Sequence, residues 1–345
     1  MKQDTVLVVD YHDAHCVIRT VDCMTGNDSL RKIPTTASSL LAVADEAAAC
    51  AQRCGGKVVW LQESTTGWAR VKQLVQGKAE FLLANVLQMP LPPKAQRRKT
   101  DQVDTARLAR EYLNGQLPTA YQPDDEWRQR RRLVALRESL VARRTAVQNW
   151  INRYLAHETW EDRGGLWSSR GIQRLKRLEL PALDRFVLDA KLDEWAHLAQ
   201  QLQTVQHQML EVYRAWPQAQ RVDAIKGLGL VAAISILARI GPIERFGSAE
   251  QLIAFAGLAP SIRQSDATRR GGRIGGGGTD SHLRHYVIEA TTWTRTLPRY
   301  RQAYQRMQRR RGNKVARIVI GRMLLRSLYK MLRDDVPFSA QCAAR

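Results

Sequence analysis

The chain is short of acid. Against 54 Lys and Arg it sets only 33 Asp and Glu, a formal charge of +21 over 345 residues. A field of that sign draws polyanions, so nucleic acid and an anionic membrane are the two partners it admits. Long apolar runs are also missing. None approaches the roughly 18 residues that a membrane helix needs. Met1 to Asp10 holds no long apolar signal core before a cleavage site. The expectation is a cytoplasmic, nucleic-acid-binding protein, nucleoid-associated when it acts, with no membrane partner. No two of the cysteines, Cys16, Cys23, Cys50, Cys54 and Cys342, form a C-x-x-C pair. Cys50 and Cys54 share a helix face, but no second pair completes a zinc site, so reduced thiols are expected. No G-x-G-x-x-G follows Asp10, which argues against a dinucleotide fold, and the later glycine-rich stretch contains no P-loop.

What is present suggests two or three domains with ample core, since 44% of the residues are hydrophobic. Residues 1–122 read as α/β. Thr5 to Asp10 is a buried strand, Ala14 to Val21 its partner, and Ser38 to Arg53 a helix. Lys57 to Gln62 and Glu80 to Asn85 are further apolar strands. Thr100 caps a helix from Asp101 to about Asn114. Residues 123–218 read as a helical hairpin or coiled coil. Leu133, Leu136, Leu140, Val147, Trp150 and Tyr154 recur at helical spacing, interrupted by Arg143. Leu188, Leu192, Trp195, Ala199, Leu202, Val205, Met209, Val212 and Trp216 repeat the stripe, and Gly164, Gly165 and Gly171 lie in the connection. An internal core and a dimer seam explain such stripes equally well. Residues 219–345 read as a mostly α C-terminal domain. In it, Ile225 to Ile234, with Gly227 and Gly229, resembles a helix-hairpin-helix, whose turn offers backbone N–H groups to a DNA phosphate. Asp280 to Arg295 and Gly312 to Leu332 read as basic helices.

The positive charge is concentrated. Ser261 to Arg333 carries 18 basic and 3 acidic residues, a net +15. Most of these are Arg, the side chain that grips phosphate bidentately. Candidate nucleic-acid contacts are Lys94, Arg97, Arg98 and Lys99 in a basic loop and Arg130, Arg131 and Arg132 on the first long helix. Arg263, Arg269, Arg270, Arg273 and Arg284 complete them near the C-terminal serines.

Four acids stand out by position. Asp10 ends the first strand, Glu63 follows a central strand, and Asp101 and Asp104 share one helix face. Grouped carboxylates repel unless cations neutralise them, and hard divalent ions are their natural partners. Each acid alone has a simpler reading as a cap or as a complement to a helix dipole. The strings Val8-Val9-Asp10, Gln62-Glu63-Ser64-Thr65-Thr66-Gly67, Asn85 and Lys99-Thr100-Asp101-Gln102-Val103-Asp104-Thr105-Ala106 together resemble the DEDD nuclease domain of the Piv and IS110 insertion-sequence transposases. That resemblance implies a ribonuclease H (RuvC)-like domain whose metal quartet is Asp10, Glu63, Asp101 and Asp104, binding Mg2+ or Mn2+. Thr105 stands where the family more often has Ala.

A serine forms the second constellation. Phe255-Ala256-Gly257-Leu258-Ala259-Pro260 leads to Ser261 and Ser265, followed by Arg and Gly. Alone, such a loop could contact phosphate without chemistry. The stretch from Gly241 to Phe246, through Ala256 to Pro260, to Leu283-Arg284 is similar to the C-terminal transposase domain of the same family. This implies a nucleophilic serine at Ser265, with Ser261 second. Asp266 replaces the usual Gly, and Gly276 to Asp280 departs from a Lys-x-Gly-Asn element. The resemblance implies strand exchange between donor and target DNA by a homodimer or homotetramer, with a structured bridge RNA as guide in many members. The alternatives are a hydrolytic nuclease of Holliday-junction resolvase type and a non-catalytic nucleic-acid-binding protein.

Overall fold

The computed structural model describes residues 4–22, 25–89, 100–158, 164–259, 262–265, 268–271 and 280–338. The chain divides into two units, residues 1–122 and 123–345.

In the first unit, β1 (Thr5–Tyr11) is buried along nearly its whole length, as an apolar run becomes when both faces of its sheet are covered. A tight turn, closed by the His12 N–H donating to the His15 carbonyl at 3.1 Å, leads into antiparallel β2 (His15–Asp22). β3 (Asp28–Pro34) pairs antiparallel with the far side of β2. α1 (Ala37–Cys54) starts where the Thr36 hydroxyl accepts from the Ser39 N–H, and ends at Gly55 with φ 66°. β4 (Val58–Glu63) lies parallel to β1, and α2 (Trp68–Leu74) leads to β5 (Glu80–Ala84), parallel to β4. The mixed five-stranded sheet has the order β3-β2-β1-β4-β5. α3 (Asp101–Leu113) begins at Thr100, whose hydroxyl accepts from the Val103 N–H.

Strand alternation splits the core in two. Leu7, Val9, Tyr11 and Trp60 pack with Leu40, Val43 and Ala44 of α1. Val6, Val8, Val59 and Leu61 pack with Leu108, Ala109 and Tyr112 of α3. β3 had no counterpart in the sequence reading. Its residues are almost all exposed, so it carries no apolar alternation, and backbone pairing to β2 is what makes it a strand. Charged side chains suit such an edge.

In the second unit, α4 (Asp125–Glu158), α5 (Ser169–Arg177) and α6 (Ala182–Arg214) come first. α4 and α6 run antiparallel: Trp127 meets Trp216 at 5.3 Å between ring centroids, and Lys191 lies over the Trp150 ring. Then follow α7 (Pro217–Asp223), α8 (Leu230–Ile240), α9 (Ala249–Phe255), the hairpin β6 (Ile262–Ser265) and β7 (Thr268–Gly271), α10 (Ser281–Thr294) and α11 (Pro298–Arg333). One core joins Leu140, Val147, Leu188 and Leu202 of the long helices to Ile234, Leu237, Val287, Leu324 and Leu328. Much of each helical stripe is therefore spent on this internal core, though Leu136 stays half exposed. Among the described residues, no helix is long and apolar enough to cross a membrane.

Candidate active site

β1 and β4 set Val8 opposite Leu61 and Val9 opposite Gln62. Asp10 and Glu63 are the next residues along each strand, and Glu63 also pairs with Ala84 of β5. Alternation carries Asp10 onward from Val6 and Val8, and Glu63 from Val59 and Leu61, on the face that α3 covers. On α3, Thr105, Leu108, Ala109 and Tyr112 are buried. Asp101 and Asp104 precede Thr105 and Leu108 by one turn each and so extend that stripe. All four acids thus belong to one end of one sheet face.

A buried arginine holds the helix there. Arg19 of β2, 8% exposed, donates Nε to the Thr105 hydroxyl at 3.4 Å and Nη2 to the Gln102 carbonyl at 3.3 Å. Its Nη1 pairs with Asp28 of β3. The Thr105 hydroxyl in turn donates to the Asp101 carbonyl at 2.7 Å. Thr105, where the family more often has Ala, thus ties the first turn of α3 to the sheet. Beyond Glu63, Gly67 takes φ 88°, and a Cβ there would lie 2.8 Å from the Tyr11 ring. Arg70 donates to the Tyr11 hydroxyl at 2.6 Å, which braces the turn that follows Glu63.

Two side chains that the sequence reading overlooked join this end of the sheet. Ligand atoms of His12, His15 and Asp101 lie within 4.8 Å of one another. His12 Nε2 is also 3.4 Å from Asp10 Oδ2. Asp101 is thus the acid that enters this close group, and Asp10 adjoins it through His12. The available signal was the spacing His12-x-x-His15 immediately after Asp10. Neighbouring Cys16 lies on the opposite face, among the α1 core residues, where burial pushes its thiol pKa up. Cys50 donates to Asp22 at 3.7 Å, and Cys16, Cys50 and Cys54 are all free thiols. Carboxylate oxygens, reinforced here by imidazole nitrogens, are a donor set that suits a divalent ion.

In the second unit, Ser265 ends β6, opposite Thr268 of β7, and the hairpin pairs Arg263 with Arg270 and Gln264 with Arg269. Ser261, Arg273, Lys94, Arg97, Arg98 and Lys99 lie outside the described residues. Arg130 pairs with Glu126, and its guanidinium carbon sits 3.9 Å from the Trp216 ring centroid. Arg131 donates to the Ala238 and Arg239 carbonyls, bracing α4 against the end of α8. Arg132 is exposed, and Arg284 is half-buried on α10. The glycine turn between α7 and α8 packs on α10. Gly227 has φ 101°, and a Cβ there would lie 2.7 Å from Trp293 Cβ and 2.9 Å from the Ala290 carbonyl oxygen. Gly229, at the start of α8, faces open space.

Comparison with known proteins bears on both units. A DEDD transposase family model of the IS110 type matches residues 9–158, and the model described as "Transposase IS116/IS110/IS902 family" matches residues 219–308. A protein of Sinorhizobium fredii named as a transposase, y4qE, is 26% identical over 204 residues, covering 58% of this chain and 49% of that protein. The transposase for insertion sequence element IS1111A of Coxiella burnetii is 30% identical over 144 residues, covering 39% of this chain and 38% of its own length. The chain spans about half the length, or less, of these curated relatives. With both family domains present in order, the chain belongs to the IS116/IS110/IS902 transposase family.

Proposed function

We propose that the chain is a DNA transposase that cuts and rejoins strands through Ser265, with Asp10, Glu63, Asp101 and Asp104 as a divalent-metal quartet on a ribonuclease H-like first unit. What supports the reading is strand alternation and helix spacing, which assign the four acids to one end of one sheet face, on a chain that carries both transposase domains in order. A divalent ion held by the quartet would supply a positive field for charge developing on the transferring phosphate.

The remaining roles belong to the chain. The Ser265 hydroxyl attacks a backbone phosphorus in line, forming the serine O–P bond as the P–O3′ bond breaks. The serine gives up its proton, the departing oxygen takes one, and the products are a 5′-phosphoserine and a free 3′-OH. Attack by a 3′-OH on the phosphoserine then rejoins DNA and releases the serine, so no energy source is needed. Arg263, Arg269, Arg270 and Arg273 hold the phosphate, and Arg284, Arg132 and the basic loop of Lys94, Arg97, Arg98 and Lys99 hold flanking backbone. Donor and target DNA are the substrates, a homodimer or homotetramer is the working assembly, and a structured bridge RNA is the guide.

The test is a covalent trap. The full chain is incubated with donor DNA and Mg2+, and the denatured mixture is mapped by mass spectrometry. The expected result is a nucleotide adduct on Ser265, absent in Ser265→Ala protein that still binds DNA. An adduct on Ser261 moves the nucleophile. Metal-dependent cleavage with no adduct replaces the reading with a hydrolytic nuclease that uses water.

A further inference from the structure

We propose that His12 and His15 are metal ligands, so that the end of the sheet occupied by Asp10 and Asp101 takes a first-row transition ion such as Mn2+ in preference to Mg2+. The inference builds on the reading of the acids as a metal quartet but is independent of the serine chemistry.

Three separate elements supply the donors. His12 lies in the turn after β1, His15 opens β2, and Asp101 opens α3, yet their ligand atoms converge within 4.8 Å. Two donors on opposite sides of an ion at about 2.2 Å are about 4.4 Å apart, so a group within 4.8 Å is close to the spacing that one shared ion requires. Asp10, 3.4 Å from His12, stands ready as a fourth donor. The turn is rigid. His12 N–H donates to the His15 carbonyl at 3.1 Å, the Thr35 hydroxyl donates to the His12 carbonyl at 2.7 Å, and Thr35 N–H donates to the Ala14 carbonyl at 3.2 Å. The two rings are tilted by 33° with centroids 5.2 Å apart, which is not a stacked pair. Asp101 is held from behind through Thr105 and Arg19. Such fixed backing is what orients metal ligands.

The contact between His12 and Asp10 explains the position of one imidazole. It leaves unexplained why the second imidazole and a carboxylate from α3 meet it. Ligand softness then sets the metal. Mg2+ prefers oxygen and water, whereas imidazole nitrogen favours transition ions from Mn2+ to Zn2+.

The experiment uses the full chain with Mn2+ and Mg2+ alone, without DNA. Pulsed electron paramagnetic resonance of the Mn2+-loaded wild type is expected to show coupling to imidazole 14N. Calorimetry of the His12→Ala/His15→Ala variant is expected to show Mn2+ binding weakened by about tenfold or more, with Mg2+ binding changed by less than about threefold. Because the 14N signal is read on the wild type, a variant that fails to fold does not decide the matter. Mn2+ that binds without 14N coupling, and equally well to the variant, overturns the histidine assignment and leaves the quartet standing. Failure of both ions to bind the folded wild type overturns the quartet and the histidines together.

Discussion

Replacing Arg19 with Met tests whether one buried side chain sets the position of the acids on α3. Met preserves most of the aliphatic volume, so little cavity forms and the lost polar contacts dominate. Those are the bonds to the Thr105 hydroxyl at 3.4 Å and the Gln102 carbonyl at 3.3 Å, and the pair with Asp28, whose side chain is 49% exposed. Bonds this long fall at the low end of the range, about 0.5–1 kcal/mol each. A half-exposed ion pair adds about 0.5–1 kcal/mol after screening. Relief of the desolvated guanidinium offsets part of the total, so the expected loss is roughly 2 kcal/mol. For a unit of 122 residues that is a fall in Tm of about 6–10 °C. Arg31→Met is the control, because the Arg31–Glu46 pair is exposed on both sides and its loss should shift Tm by no more than about 2 °C. Thermal unfolding followed by circular dichroism measures the first quantity. Calorimetric Mn2+ titration measures the second, where freeing the first turn of α3 should weaken binding about tenfold. An Arg19→Met protein as stable as wild type refutes the latch. A fall in Tm with unchanged Mn2+ affinity refutes its positioning role.

Two further outcomes are expected. Gly227→Ala forces a Cβ to within 2.7 Å of Trp293 Cβ at φ 101°, so it should destabilise the second unit by roughly 2–4 kcal/mol in guanidinium unfolding. A change below about 0.5 kcal/mol would mean that the turn does not sit on α10 as described. Nucleic-acid affinity should fall steeply with salt, because the net +15 between Ser261 and Arg333 supplies many counterion-releasing contacts. A log–log slope shallower than about −2 would show that most of that charge stays off the phosphates.

The elements legible in the sequence are those whose burial is written into their side chains. β1 and β4 are covered on both faces and read as apolar runs. The stripes of α4 and α6 supply much of their packing surface, so the hairpin was readable, although nothing in a stripe says whether its neighbour is in the same chain. β3 was not readable, since what makes it a strand is the hydrogen-bond ladder to β2. The half of α11 before Gly312 was missed for a related reason. Residues 298–311 are rich in Arg and Gln and bury Tyr300 and Tyr304, too sparse a pattern to register. Gly312 itself marks a real break, with φ 81° inside the helix.

The acids and the histidines differ in how far apart their partners lie. Asp10 and Glu63 each end a run that announces a strand, and Asp101 and Asp104 follow a capping Thr, so local sequence places each at an element boundary. His12 sits in a short turn beside Asp10 and His15 opens β2, and local sequence offers neither of them a contact with α3. Their proximity to Asp101 depends on α3 docking over β1 and β2 at one particular height, which the core contacts of Leu108, Ala109 and Tyr112 and the bonds from Arg19 to Thr105 and Gln102 hold together. A basic residue inside a strand reads from sequence as an interruption. Here it links the start of α3 to β2, close to the histidine turn, which is why substitution of Arg19 should be felt at the proposed metal site although Arg19 is not among its proposed ligands.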